Sequence, residues 1–182
     1  MLKRFSILFL FACVLISFDS YAFDKDRNVR DIPIKERFFL GLSAGFSYSS
    51  FETSIVMTPA FGFRFSNHFM AAVTGTYQYY NDRSFGSTFS THIYGPGFFA
   101  RGLIMPWLFV HGEFESLNMK SRDLQTHGSQ RHWEYNYLLG PGYRMQVGRN
   151  AFFNIMILYN FNTESRIYFQ NPIFRFNFEI GL

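Results

Sequence analysis

The chain has 182 residues, with 17 Lys plus Arg against 13 Asp plus Glu and a formal net charge of +4. That balance is too mild, and too evenly scattered, to point to nucleic acid. Aromatic residues make up 21% of the chain (26 Phe, 11 Tyr, 2 Trp) while mean hydropathy is only −0.03, so greasy and polar residues interleave rather than segregate.

Residues 1–22 have the parts of a signal peptide. Lys3 and Arg4 form a basic start, Phe5 to Phe18 is apolar, and Ser20-Tyr21-Ala22 ends in small residues suited to cleavage. The apolar run is short for a spanning helix, which needs about 20 residues. Leu10-Phe11-Ala12-Cys13 is a poor lipobox, because Phe11 is bulky and the apolar stretch continues through Val14-Leu15-Ile16. Cleavage after Ala22 removes the one cysteine, and with it any disulfide or thiol chemistry. It also removes Lys3, Arg4 and Asp19, leaving 15 basic and 12 acidic residues and a net charge of +3. About 160 residues then remain, enough for one domain.

Residues 23–36 are charged and aperiodic, which predicts a flexible leader. From residue 37 to Leu182 the spacing predicts eight strands, because apolar and polar residues alternate and successive strand side chains point to opposite faces. The first strand, 38–49, puts Phe38, Leu40, Leu42, Ala44, Phe46 and Tyr48 on one face and Gly41, Ser43, Gly45 and Ser47 on the other. The second, 54–66, sends Ile55, Met57, Phe61, Phe63 and Phe65 one way and Thr58, Ala60, Gly62 and Arg64 the other. The third covers 69–80. The fourth, 89–102, carries Gly95-Pro96-Gly97, and the sixth, 131–147, carries Gly140-Pro141-Gly142. Proline cannot donate to a ladder and glycine permits a sharp bend, so both triplets read as corner devices of a strongly curved sheet. No helix pattern follows either one, which argues against a nucleotide loop. The fifth strand covers 106–118 and the seventh 151–161. In the last, Phe174 to Leu182 alternate without a break. Short connections at 66–68, 103–105 and 148–150 alternate with longer ones at 50–53, 81–88, 119–130 and 162–166, the asymmetry of an outer-membrane barrel. The predicted fold is therefore all-β, an eight-stranded antiparallel up-and-down transmembrane β-barrel behind a cleaved signal peptide.

An eight-stranded barrel has room for side chains and little else. The predicted inward set includes Arg64, Arg101, His111, Glu113, Glu115, Glu134, Arg144, Arg175 and Glu179. Isolated charges there are costly, so a lumen ion-pair network closing the barrel is expected, with a narrow channel for ions or protons as the sharper alternative. Outward aromatics gather near strand ends: Tyr77, Tyr79, Trp133, Tyr135, Tyr137 and Tyr159 towards the loops, Phe65, Phe69, Trp107 and Tyr143 towards the turns. These fit two interfacial girdles.

Several stretches carry a resemblance: Thr76-Tyr77-Gln78-Tyr79-Tyr80, Tyr94-Gly95-Pro96, Phe99-Ala100-Arg101, Leu108 to Glu115, Gly140-Pro141-Gly142-Tyr143-Arg144 and Asn171-Pro172-Ile173. In these the chain resembles the small outer-membrane β-barrel proteins of Gram-negative bacteria, the superfamily of OmpX and the OmpA transmembrane domain. It is similar also to uncharacterised proteins grouped as an outer membrane protein beta-barrel domain. The resemblance implies integral residence in the cell outer membrane among lipid and lipopolysaccharide, and insertion by the barrel-assembly machinery, which favours a terminal aromatic where this chain has Leu182. It brings no catalytic residues, no cofactor and no nucleic acid.

Some small barrels modify lipid A, and the nearest hint of such an enzyme is His127, Ser129 and Glu134, since a base must reach the nucleophile and be oriented by a third group. The residues flanking them do not match a deacylase, and a solvated loop is the plainer account. His92, His127 and His132 all lie towards the loops, but without the tight spacing of a metal site. Lys120, Arg122 and Arg131 make the longest predicted loop basic, which suits anionic headgroups. The expectation is a structural or surface-interaction role without turnover.

Overall fold

Eight alternating segments leave no unpaired edge when they pair in sequence and the last strand closes onto the first. The computed structural model describes residues 29–48, 52–82, 89–122, 129–168 and 171–182. Its strands are β1 (Phe38–Tyr48), β2 (Glu52–Arg64), β3 (Phe69–Asp82), β4 (Phe89–Met105), β5 (Leu108–Arg122), β6 (Ser129–Gln146), β7 (Ala151–Asn160) and β8 (Ile173–Gly181). Each pairs antiparallel with the next, and β1 pairs with β8 to close the barrel. The seam is short, from Phe39↔Gly181 to Ser43↔Asn177. A side-chain chain reinforces it: Asn154 Nδ2 donates to Asn177 Oδ1 (3.0 Å), whose own Nδ2 donates to Ser43 Oγ (3.1 Å).

The strands are unequal. β4, β5 and β6 have 17, 15 and 18 residues, while β7, β8 and β1 have 10, 9 and 11. This departs from the strand limits read from periodicity. β4 absorbs the expected 103–105 turn, leaving Pro106-Trp107 as the reversal. β5 and β6 run on, so that the expected loop 119–130 shrinks to 123–128. The reason is visible in the side chains. Leu117 and Met119 stay buried inside, while Asn118 and Lys120 on the outer face turn polar, and polar outer residues resemble a loop when only hydropathy is read. The connection after β7 is correspondingly longer than expected, 161–172 rather than 162–166.

Proline interrupts three ladders in the same way. Pairing skips Thr58-Pro59 between β2 and β3, Gly95-Pro96 between β4 and β5, and Gly140-Pro141 between β6 and β7. At the last two the neighbouring backbone closes in. A Cβ at Gly95 would sit 1.9 Å from the Ser116 carbonyl oxygen, and one at Gly140 would sit 1.9 Å from that of Ile157. Only glycine fits there. The inside is more apolar than a charged lumen implies. Phe39 lies over Gly62 and Phe109 over Gly142, each directly across the ladder, so an aromatic ring fills the groove a missing side chain leaves. Phe39, Met70 and Phe99 form one inner cluster, Phe109, Leu138, Met156 and Leu158 a second, and Ile93, Leu117 and Met119 a third.

The expected signal peptide, 1–22, and residues 23–28 of the expected leader lie outside the described residues. The remainder of the leader is folded. Val29–Asp31 and Ile34–Arg37 are 3₁₀ turns, and the Val29 amide donates to Asn67 Oδ1 (2.6 Å) in the β2–β3 turn.

Candidate functional site

Strand alternation fixes which side chains meet inside, and the barrel's small radius brings them within bonding distance. Arg101 on β4 is the hub. Its guanidinium lies between the rings of Phe99 and Phe109, 4.6 and 4.8 Å from their centroids, and pairs with Glu179 of β8. Its Nε donates to His111 Nδ1 (2.9 Å). A nitrogen that accepts carries no proton, so His111 is the neutral tautomer protonated on Nε2, which donates to Glu113 (3.0 Å). Glu113 also pairs with Arg175, which reaches Glu115 (3.3 Å) and the Tyr168 hydroxyl (3.0 Å). A continuous chain thus crosses the lumen from Glu179 to Glu115. Thr76 donates to Glu115 (3.4 Å) and also bonds Thr58 (3.1 Å).

The 161–172 connection turns inward at the loop end. Tyr168 donates to Glu115 Oε2 (2.6 Å) and packs against the Phe109 cluster, while Ile167 packs against the Ile93 cluster. Glu134 receives the same segment, accepting from the Ser165 hydroxyl (2.5 Å) and from the amides of Arg166 (3.0 Å) and Ile167 (3.4 Å). Its far end is clamped to β7, where the Asn160 amide donates to Asn171 Oδ1 (2.8 Å). Glu134 is therefore joined to this segment rather than to the Arg–Glu chain. Its partners lie 31 to 33 residues further along the chain, and no local signal marks them.

Arg64 and Arg144 also stand apart from the ion pairs. Both guanidinium groups lie on the Phe152 ring at the turn end, 5.4 and 3.7 Å from its centroid. Of the eight charged residues expected to form one lumen network, Arg101, Glu113, Glu115, Arg175 and Glu179 are brought into contact, and Arg64, Glu134 and Arg144 are not. Formal charges separate along the axis. Arg64, Arg101 and Arg144 surround Glu179 towards the turns, and Glu113, Glu115 and Glu134 accompany Arg175 towards the loops.

The aromatic residues read as girdles face outward. Tyr77, Trp107, Trp133, Tyr135, Tyr137, Tyr143 and Tyr159 are all exposed; Tyr79 is half-buried, tilted against His92 at 5.4 Å. His92 accepts or donates at Tyr77 Oη (2.7 Å) on the outer face, whereas His132 has the inward parity of Glu134. The two histidines thus occupy opposite faces of the wall, which dismantles the three-histidine reading; His127 lies outside the described residues. Ser129 opens β6, rather than lying in a loop, and Glu134 is already committed to Ser165. Lys120 and Arg131 likewise sit directly opposite each other on β5 and β6 instead of in a loop. Arg131 stacks on Tyr94 (4.8 Å) and donates to Asn118 Oδ1 (2.5 Å) and the His92 carbonyl (2.8 Å).

No family model matches the chain, and no curated protein does. Among solved structures it is similar to the outer membrane protein Ail of Yersinia pestis in a phospholipid bilayer nanodisc, at 10% identity and a TM-score of 0.48, covering 80% of this chain and 98% of that one. It is similar also to the N-terminal β-barrel domain of Pseudomonas aeruginosa OprF, at 9% identity and a TM-score of 0.43, covering 80% and 96%. The fold itself rests on the chain's own ladder: a closed, eight-stranded, antiparallel up-and-down β-barrel.

Proposed function

We propose that this chain is an integral protein of the bacterial outer membrane whose lumen is closed by its own side chains, and which serves the envelope structurally or by surface contact. One observation carries the membrane reading. All eight strands present exposed apolar side chains, among them Leu42, Phe61, Val73, Phe98, Val110, Leu139, Ile157 and Phe178. Water-soluble monomers rarely expose contiguous apolar surface beyond a few hundred Å², and a belt on every strand suits hydrocarbon. The mature protein should sediment with outer membranes and stay monodisperse only in detergent; a monodisperse species in plain buffer overturns the reading.

Closure of the lumen is supported by the Arg101–Glu179 and Arg175–Glu113 pairs and by Tyr168 lodged against Glu115. Planar bilayers containing the protein should lack the steady conductance of an open porin, and such conductance would refute closure in favour of a channel. The same reading expects no turnover, and the bonding of Glu134 to Ser165 and two amides, rather than to a candidate base, supports it. A deletion strain should keep its lipid A mass spectrum; altered acylation restores the enzyme. Surface contact is supported by Lys120 and Arg131, whose like charges face each other across a ladder and invite an anionic partner such as lipopolysaccharide phosphate. Binding to lipopolysaccharide should weaken in a Lys120→Gln, Arg131→Gln variant, and unchanged binding removes that partner. Insertion by the barrel-assembly machinery belongs to the same proposal.

A further inference from the structure

The turn-side end of the lumen holds a cationic pair with nothing to hold. Arg144 is only 8% exposed, yet its Nε and Nη2 have no hydrogen-bond partner among the described residues, and Nε and Nη2 of Arg64 are in the same position. Neither residue forms an ion pair among the described residues. Both guanidinium groups lie against the ring of Phe152, 5.4 and 3.7 Å from its centroid, so one side chain brings the two cations to the same place. The nearby charges are Glu179 and Arg101, and Glu179 is already paired with Arg101. Among the described residues one carboxylate therefore serves three guanidinium groups and leaves two formal positive charges without a counterion. Buried charge is tolerated when it is paired and hydrogen-bonded, and removing the partner of a buried ion is among the costlier changes a protein can suffer.

What would complete this arrangement is an anion with several acceptor oxygens. Guanidinium forks match phosphate oxygens in pairs, with shorter and stronger bonds than neutral donors make. We propose that Arg64 and Arg144, braced on Phe152 at the turn-side mouth, form a binding site for a phosphate-type oxyanion. Arg64 is the less buried of the two and gives the site its opening; Gln146, directly across the ladder from Phe152, has an Oε1 likewise unpartnered among the described residues. The unpartnered Glu179 Oε2 sets the far boundary, since an anion seated between the arginines must turn away from it. This inference rests on the inner face alone and stands apart from any role at the cell surface.

The phosphate could be free or could belong to a lipid headgroup, and the experiment separates the two. The full mature protein in neutral detergent is titrated with inorganic phosphate against chloride at matched ionic strength, reading the thermal unfolding midpoint. A parallel series adds phosphatidylglycerol to the micelles. A saturating upward shift with inorganic phosphate identifies the free ion; a shift with phosphatidylglycerol alone identifies a headgroup. Arg144→Gln and the rim variant Arg64→Gln should each weaken the response about ten- to a hundred-fold, the loss expected for one charged hydrogen-bonding partner. Arg149→Gln, in the neighbouring turn, should leave it intact. Far-UV circular dichroism checks that the variants fold, and Arg64 at the rim is the safer of the two. Absence of a saturable shift in both series, as ordered water alone would give, overturns the proposal, as does an equal shift in wild type and in both variants.

Discussion

Replacing Gly140 by alanine tests whether the Gly-Pro-Gly triplets are sites of close backbone approach rather than flexible spacers. The added Cβ would lie 1.9 Å from the Ile157 carbonyl oxygen and 2.9 Å from its carbon, and neither is the end of a movable side chain. Relieving the overlap to about 3.3 Å moves β6 and β7 apart by roughly 1.4 Å, a separation at which neighbouring ladder bonds no longer form. Two such bonds, each net about 1 kcal/mol, plus the cost of leaving buried groups unpaired, give a loss of about 3–5 kcal/mol. Gly75 provides the control. It lies on β3 directly across from Pro96, and a Cβ there meets nothing within 4 Å. Gly75→Ala should therefore stay within about 1 kcal/mol of the parent, or gain slightly from the lost freedom of the unfolded chain. Urea unfolding in lipid vesicles, followed by the fluorescence of Trp107 and Trp133, measures both. Equal stabilities for Gly140→Ala and Gly75→Ala would refute the close-approach argument.

Three further outcomes are expected. Phe98→Arg, on the outer face where Phe98 is 57% exposed, should lower folding stability in vesicles by about 2–4 kcal/mol if the site lies near the bilayer midplane; a neutral effect would contradict burial in lipid. Tyr168→Phe removes the donor to buried Glu115 and the acceptor of Arg175, so it should cost about 1–3 kcal/mol and speed tryptic cleavage at exposed Arg166. An unchanged cleavage rate would show that the inward segment is held by other contacts. Glu179→Leu should cost about 3–5 kcal/mol because it strands the buried Arg101, Arg101→Met should cost less because Arg64 and Arg144 remain near Glu179, and the double variant should cost less than the sum. Additive losses in urea unfolding would mean that the two do not act as a pair.

Much of this was legible in the chain, for a definite reason. A strand repeats every two residues, so Phe174 to Leu182 display their two faces without any knowledge of the partner strands. The same parity places Arg101, Glu113, Arg144 and Glu179 inside, and read fully it also places Phe99, Phe109 and Phe152 there. What parity cannot give is height. Which inward charges meet depends on register around the barrel, so Arg101 and Glu179, 78 residues apart, became a pair only once the ladder was known. Strand ends failed for a related reason. Above the apolar belt the outer face of β5 and β6 turns polar while the inner face stays apolar, as at Leu117 and Met119. Hydropathy then reads the strand as a loop. The inward fold of 161–168 left no trace at all, since Ser165 and Tyr168 are unremarkable until Glu134 and Glu115 are beside them.

The unequal strands have a consequence for how the molecule sits among neighbours. A bilayer takes up about 9–11 residues of a tilted strand, which β7, β8 and β1 barely supply and β4 to β6 exceed. At about 3.3 Å per residue the surplus raises one side by roughly 10–20 Å. The cylinder consequently has a front and a back. A bulky companion can approach the low side closely, whereas on the high side it first meets a protein wall that carries Lys120 and Arg131.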